Sequence, residues 1–75
     1  MIEEGNPNSV TDAGVGALAI LAAVKGGYLN VLINISGLKD KEKAASLREE
    51  AQRILDLAKE RENVLWEKVI LKMNL

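Results

Sequence analysis

Seventy-five residues, 48% of them apolar and 28% charged, make one small domain, since single domains run from about 50 to 200 residues. The chain has no Cys and no His, which excludes a disulfide scaffold and thiolate chemistry and removes the usual zinc ligands and the commonest general acid/base. Ten Lys and Arg against eleven Asp and Glu leave a net charge of -1, so there is no electrostatic case for nucleic acid or an anionic membrane as partner.

Met1 to Glu4 lack the basic start and apolar run of a signal peptide, and the cytoplasm is the expected compartment. Residues 1–8 read as a lead-in loop, with Gly5, Asn6 and Pro7 marking a turn. Ser9 followed three residues later by Asp12 makes a variant of the capping box, which predicts a helix starting at Ser9 or just after it. That helix runs through an apolar stretch in which Lys25 is the one charge between Ala13 and Ser36, and Gly37 supplies the stop. A run of about 27 residues spans roughly 40 Å of helix. Tyr28 to Ile35 admits a β reading if Gly26-Gly27 is a turn, but Asn30 and Asn34, four apart, suit a helix better.

Composition changes at Lys39. Residues 37–40 form a turn, and Asp40 is the candidate N-cap of a second helix over 41–72. Ala44, Leu47, Ala51, Ile54, Leu55 and Ala58 recur there at three- and four-residue spacing, the signature of an amphipathic helix. The apolar stripe is interrupted at Arg61, Glu62 and Asn63, where a kink or break is expected to fall if the helix has one. Trp66 reads as a packing anchor, since no basic patch surrounds it to favour a stacking platform.

Seven of the twelve residues from Ala13 to Val24 are Gly or Ala. A helix apolar almost all the way round is one buried on every side, and one amphipathic neighbour cannot bury it. The fold class expected is therefore all-α, two long antiparallel helices within a multi-helix bundle completed by other chains or by a missing N-terminal part. A transmembrane span is the rival, opposed by Lys25 at the midpoint, by Gly26-Gly27, Asn30 and Asn34, and by the lack of a basic flank or aromatic belt. The reading favoured has no membrane and no nucleic acid as partner.

Helical spacing sorts the first helix into two stripes. Ser9, Asp12, Gly16, Ala19, Ala23, Gly27, Asn30 and Asn34 form a seam of small and polar side chains; Leu18, Leu21, Lys25, Leu29 and Leu32 form a bulkier flank. A small seam admits another backbone or a flat ligand. Taken alone, close helix packing accounts for it, with Asn30 and Asn34 setting register and Ser9 and Asp12 capping the helix. Lys25 either reaches for solvent or supplies a cation to an acidic ligand.

The linked runs Gly5-Asn6-Pro7-Asn8-Ser9-Val10-Thr11-Asp12 and Asn30-Val31-Leu32-Ile33-Asn34, with Lys25-Gly26-Gly27-Tyr28 between them and Gly37-Leu38-Lys39-Asp40 after, resemble the cyclodeaminase/cyclohydrolase family. This is the family of the C-terminal domain of formiminotransferase-cyclodeaminase and its stand-alone relatives. The resemblance covers about residues 5 to 58, and the combination of G-N-x-x-S-x-x-D with N-V-x-I-N is more specific than either piece. It implies an all-helical bundle forming an interlocked dimer, with a tetrahydrofolate derivative as substrate and no metal or other cofactor. The reactions it implies are closure of the methenyl bridge of formiminotetrahydrofolate with loss of ammonia, or hydrolysis of that bridge. Asp12, the one acid in the seam, is then the catalytic candidate, and Asn6, Ser9, Asn30 and Asn34 are the substrate-binding ones. Family domains are longer, and the chain resembles their later part without the Gly-rich helical segment expected to form the other wall of the site. It is read as a partial domain, either a fragment or a natural short form that assembles differently, and on both readings it is not a stable monomer. The reading from another class is a non-catalytic helical hairpin whose seam packs against a second copy.

Overall fold

A computed structural model describes residues 7–73, with side chains described from residue 9 onward. Two α-helices account for nearly all of them: α1, Pro7–Ile35, and α2, Lys41–Met73. They fold back on one another as an antiparallel hairpin, and there is no strand among the described residues, so the β reading of Tyr28 to Ile35 falls away.

Helix α1 begins at Pro7, two residues before the expected start. Proline suits the first helical position because its fixed φ is already helical and its missing N–H would have no partner there. The shift puts Ser9 third in the helix and Asp12 in the second turn, so the pair does not form a capping box at the helix start. At the other end, the Ser36 amide donates to Leu32 O at 3.2 Å, and tighter turns, from Gly37 to Asn34 O and from Leu38 to Ile35 O, close the helix. The second helix starts as its sequence requires: Asp40 Oδ1 accepts from the Lys43 amide at 3.1 Å, satisfying one of the donors that a helix N-terminus leaves free. Helix α2 then runs unbroken through Arg61, Glu62 and Asn63. The interruption in the apolar stripe produces no break because Glu62 occupies a half-buried position facing α1, where its methylene stem continues the packing.

The two helices meet along a narrow line. On α1 it passes through Val10, Gly14, Ala17, Leu21, Val24 and Tyr28; on α2, through Ala51, Leu55, Ala58, Leu65 and Val69. Among the described residues the fully buried hydrophobic side chains are Val10, Leu55 and Val69. Close approach is set at Gly14, where an added Cβ would lie 3.3 Å from a Val69 methyl. Register is fixed toward the connecting turn by a polar chain: Tyr28 Oη donates to Gln52 Oε1 at 2.8 Å, and Gln52 Nε2 donates to Asp56 Oδ1 at 2.9 Å. Trp66, 47% exposed, is not the anchor expected of it; Leu55 and Val69 hold that place.

The result is a rod measuring 54 × 18 × 15 Å with a radius of gyration of 16.6 Å, against about 11 Å for a compact chain of this length. Helix α1 remains open to solvent over most of its circumference within the single chain: Val15, Ile20, Leu29 and Ile33 are 59–70% exposed. The stretch Ser9–Ile35 is long and apolar enough to cross a membrane.

Candidate functional site

The seam read from the sequence lies on neither the packed line nor the side directly opposite it. The line facing α2 passes between the seam and the bulkier flank, taking Leu21 and Leu32 from the flank and leaving Leu18, Lys25 and Leu29 exposed. Lys25 therefore reaches solvent from this chain. Asp12, Gly16, Ala19, Ala23, Gly27, Asn30 and Asn34 are all exposed, and Ser9 is half-buried at the end of the row. Asn6 lies outside the described residues.

One face of α1 thus carries all the described candidates, but it does not gather them at one point. Ser9 and Asp12 sit together near the helix start. Asn30 and Asn34 are one turn apart near its end. Eighteen residues separate Asp12 from Asn30, which is about 27 Å at the helical rise. The two groups cannot touch the same reacting atoms within one chain. Asp12, Asn30 and Asn34 make no side-chain hydrogen bond among the described residues, so a carboxylate and two amides are presented to solvent on an apolar helix face. Among those residues, no group of three or more Asp or Glu side chains is placed to hold a metal ion.

Beside the seam runs a feature absent from the sequence reading. An apolar groove of about 390 Å³ opens between the helices, with Ala17, Ile20 and Leu21 on one bank and Ile54, Leu57 and Leu65 on the other; Arg61 and Glu62 supply its polar atoms. On its α2 bank Leu65 belongs to the packed line, whereas Ile54 and Leu57 belong to a second apolar stripe on that helix, formed by Leu47, Ile54, Leu57, Val64 and Leu71, all 39–77% exposed. The heptad spacing of those positions is the signal that would have revealed it, since it runs alongside the packed line as a separate row.

The described residues thus form an all-α helical hairpin with an exposed apolar face, and a groove and a row of small and amide side chains run along it. The family profile of formiminotransferase-cyclodeaminase matches residues 1–53, taking in all of α1 and the start of α2. The chain is 35% identical over 72 residues to a methenyltetrahydrofolate cyclohydrolase from Methylorubrum extorquens. That match covers 96% of the chain and 35% of the relative, so the chain spans about a third of that protein's length. No solved structure matches. The chain belongs to the formiminotransferase-cyclodeaminase family.

Proposed function

We propose that this chain supplies the C-terminal portion of a folate one-carbon enzyme, a methenyltetrahydrofolate cyclohydrolase or formiminotetrahydrofolate cyclodeaminase. The observation that carries this reading is the placement of the family-matched segment. Residues 1–53 contain both linked motifs, and their described candidate residues fall on one face of α1, with the Asp12 carboxylate and the Asn30 and Asn34 amides exposed. The cyclohydrolase named among the relatives supports the hydrolytic alternative of the two.

Each group has a distinct part in this proposal. Hydrolysis of a methenyl bridge needs a water molecule deprotonated as it attacks a cationic carbon, followed by proton delivery to the departing ring nitrogen. Asp12 is the one described residue of the seam able to exchange that proton and, as an anion, to stabilise the cation before attack. Ser9, one turn away on the same face, orients the water or a polar edge of the substrate, and Asn6, which lies outside the described residues, is assigned a substrate-binding role as well. Asn30 and Asn34, about 27 Å or more from Asp12 along the helix, bind polar atoms at the opposite end of the face. The substrate is a tetrahydrofolate derivative, no metal takes part, and the compartment is the cytoplasm.

The experiment is direct. The protein is incubated with 5,10-methenyltetrahydrofolate and the loss of the methenyl absorbance is followed, with ammonia release from formiminotetrahydrofolate measured in parallel. Turnover of either substrate that collapses in Asp12→Asn is the expected result. Absence of both turnover and folate binding would overturn the reading in favour of a non-catalytic hairpin whose seam only packs.

A further inference from the structure

We propose that the apolar groove between the helices takes the aminobenzoyl-glutamyl end of a folate, with the Arg61 guanidinium pairing the glutamyl carboxylates while the one-carbon end of the molecule lies at Asp12. This subsite rests on the folate reading and extends it into α2, because every groove residue of that helix lies beyond the family-matched residues 1–53.

Chemical complementarity selects this end of the ligand. The groove, about 390 Å³, lies within the roughly 300–1,000 Å³ of sites that hold small molecules. Its banks are aliphatic, Ile20 and Leu21 on α1 facing Ile54 and Leu57 on α2, and suit a flat ring without charge. Arg61 is exposed at the groove and makes no hydrogen bond or ion pair among the described residues. A guanidinium presents its donors in a planar fork that matches a carboxylate, and the glutamyl group of a folate carries two carboxylates. Glu62, half-buried beside it, gives the groove an acceptor, and the amide that joins the ring to the glutamate brings an N–H donor. The pterin end fits less well, since its ring edge is lined with donors and acceptors that aliphatic banks leave without partners.

The span agrees. The contacts of Gly14 with Val69 and of Tyr28 with Gln52 bring Arg61 level with about residue 21 of α1. Asp12 is then about 13 Å away along the axis. In an extended folate the methenyl carbon lies roughly 11 Å from the α-carboxyl carbon and roughly 13 Å from the γ-carboxyl carbon, at the reach per bond of an extended chain. The route between the two ends is open. Asp12, Gly16 and Ile20 follow one another at four-residue steps, a single ridge leading from the seam to the groove. At Gly16 the ridge dips, with nothing within 4 Å of the place a Cβ would take, and a flat ring can lie against the helix there.

The test compares 5-formyltetrahydrofolate, a chemically stable folate, with its glutamyl dimethyl ester, which removes both negative charges and keeps the rest of the molecule. Binding is followed through the methyl resonances of the labelled protein. Those of Ile20 and Leu57, 66% and 43% exposed, are expected to shift with both compounds. The acid should bind about three- to tenfold more tightly than the ester, a modest factor because Arg61 stands in contact with solvent. Arg61→Ala is expected to abolish that preference by weakening the acid alone, and Arg61→Lys to keep part of it, because an ammonium retains the charge without the fork. Arg61 is exposed, so both variants keep the fold, and circular dichroism verifies it. A preference for the acid that survives Arg61→Ala, or shifts that avoid the Ile20 and Leu57 methyls, would overturn the subsite while leaving folate binding, and with it the folate reading, in place. Failure of the unsubstituted protein to bind either compound would overturn the folate reading and the subsite together.

Discussion

Replacing Gly14 by Ala sets two opposed effects against each other at the closest approach of the two helices. Ala favours the helical state over Gly by about 1 kcal/mol, because the glycine backbone loses more freedom on folding. The added methyl would lie 3.3 and 3.4 Å from the two γ-methyls of Val69, tighter than ordinary carbon–carbon contact. Val69 is 4% exposed, and as a β-branched residue in a helix it has one favoured rotamer, so it cannot turn away. The helices must separate by a few tenths of an ångström, an overpacking cost of about 1–3 kcal/mol. The net expectation is a loss of about 0–2 kcal/mol. Gly26→Ala is the control: nothing lies within 4 Å of the place its methyl would take, and it should stabilise the chain by the full propensity gain of about 1 kcal/mol. Urea titrations at one fixed chain concentration measure both. Equal stabilisation by the two substitutions would refute the close approach, and a double variant with Val69→Ala should recover part of the loss.

Tyr28→Phe removes the 2.8 Å bond to Gln52 while keeping the ring, and should cost about 1 kcal/mol in the same titration, with Gln52 held by Asp56 alone. Asp40→Ala should cost about 1 kcal/mol by freeing the Lys43 amide, and Asp40→Asn should cost much less, because an amide oxygen can accept the same bond. Asp12→Asn should lower turnover of the methenyl substrate by about 100- to 10,000-fold; because the side chain is exposed, the urea midpoint should not move.

The helices are legible in the sequence because local signals fix them. Asp40 caps α2 as its residue type predicts, and α1 stays helical through Gly26-Gly27 within a long apolar run whose one charge is Lys25. The start of α1 differs from expectation because Ser9 and Asp12 offer a cap pattern while Pro7, two residues earlier, offers a better first position. The gap in the apolar stripe at Arg61 to Asn63 produces no break for a related reason. Residue type marks a gap in the stripe there, whereas the packing line accepts the stem of Glu62 as readily as an apolar side chain.

Which face does what is far less legible, and the cause is physical. Helix α1 is apolar on nearly every side, so its sequence has no polar face to mark the direction of solvent. The choice of Val10, Gly14 and Leu21 as the line facing α2 comes from the antiparallel register that Tyr28 and Gln52 hold. Helix α2 has the opposite difficulty, since two apolar rows set side by side look like one broad stripe until α1 occupies the first of them. The candidate residues of the seam can be named from the sequence, but their division along the helix, about 27 Å, follows only once α1 is known to be continuous. Joining the two halves then becomes a matter of what else packs on that face.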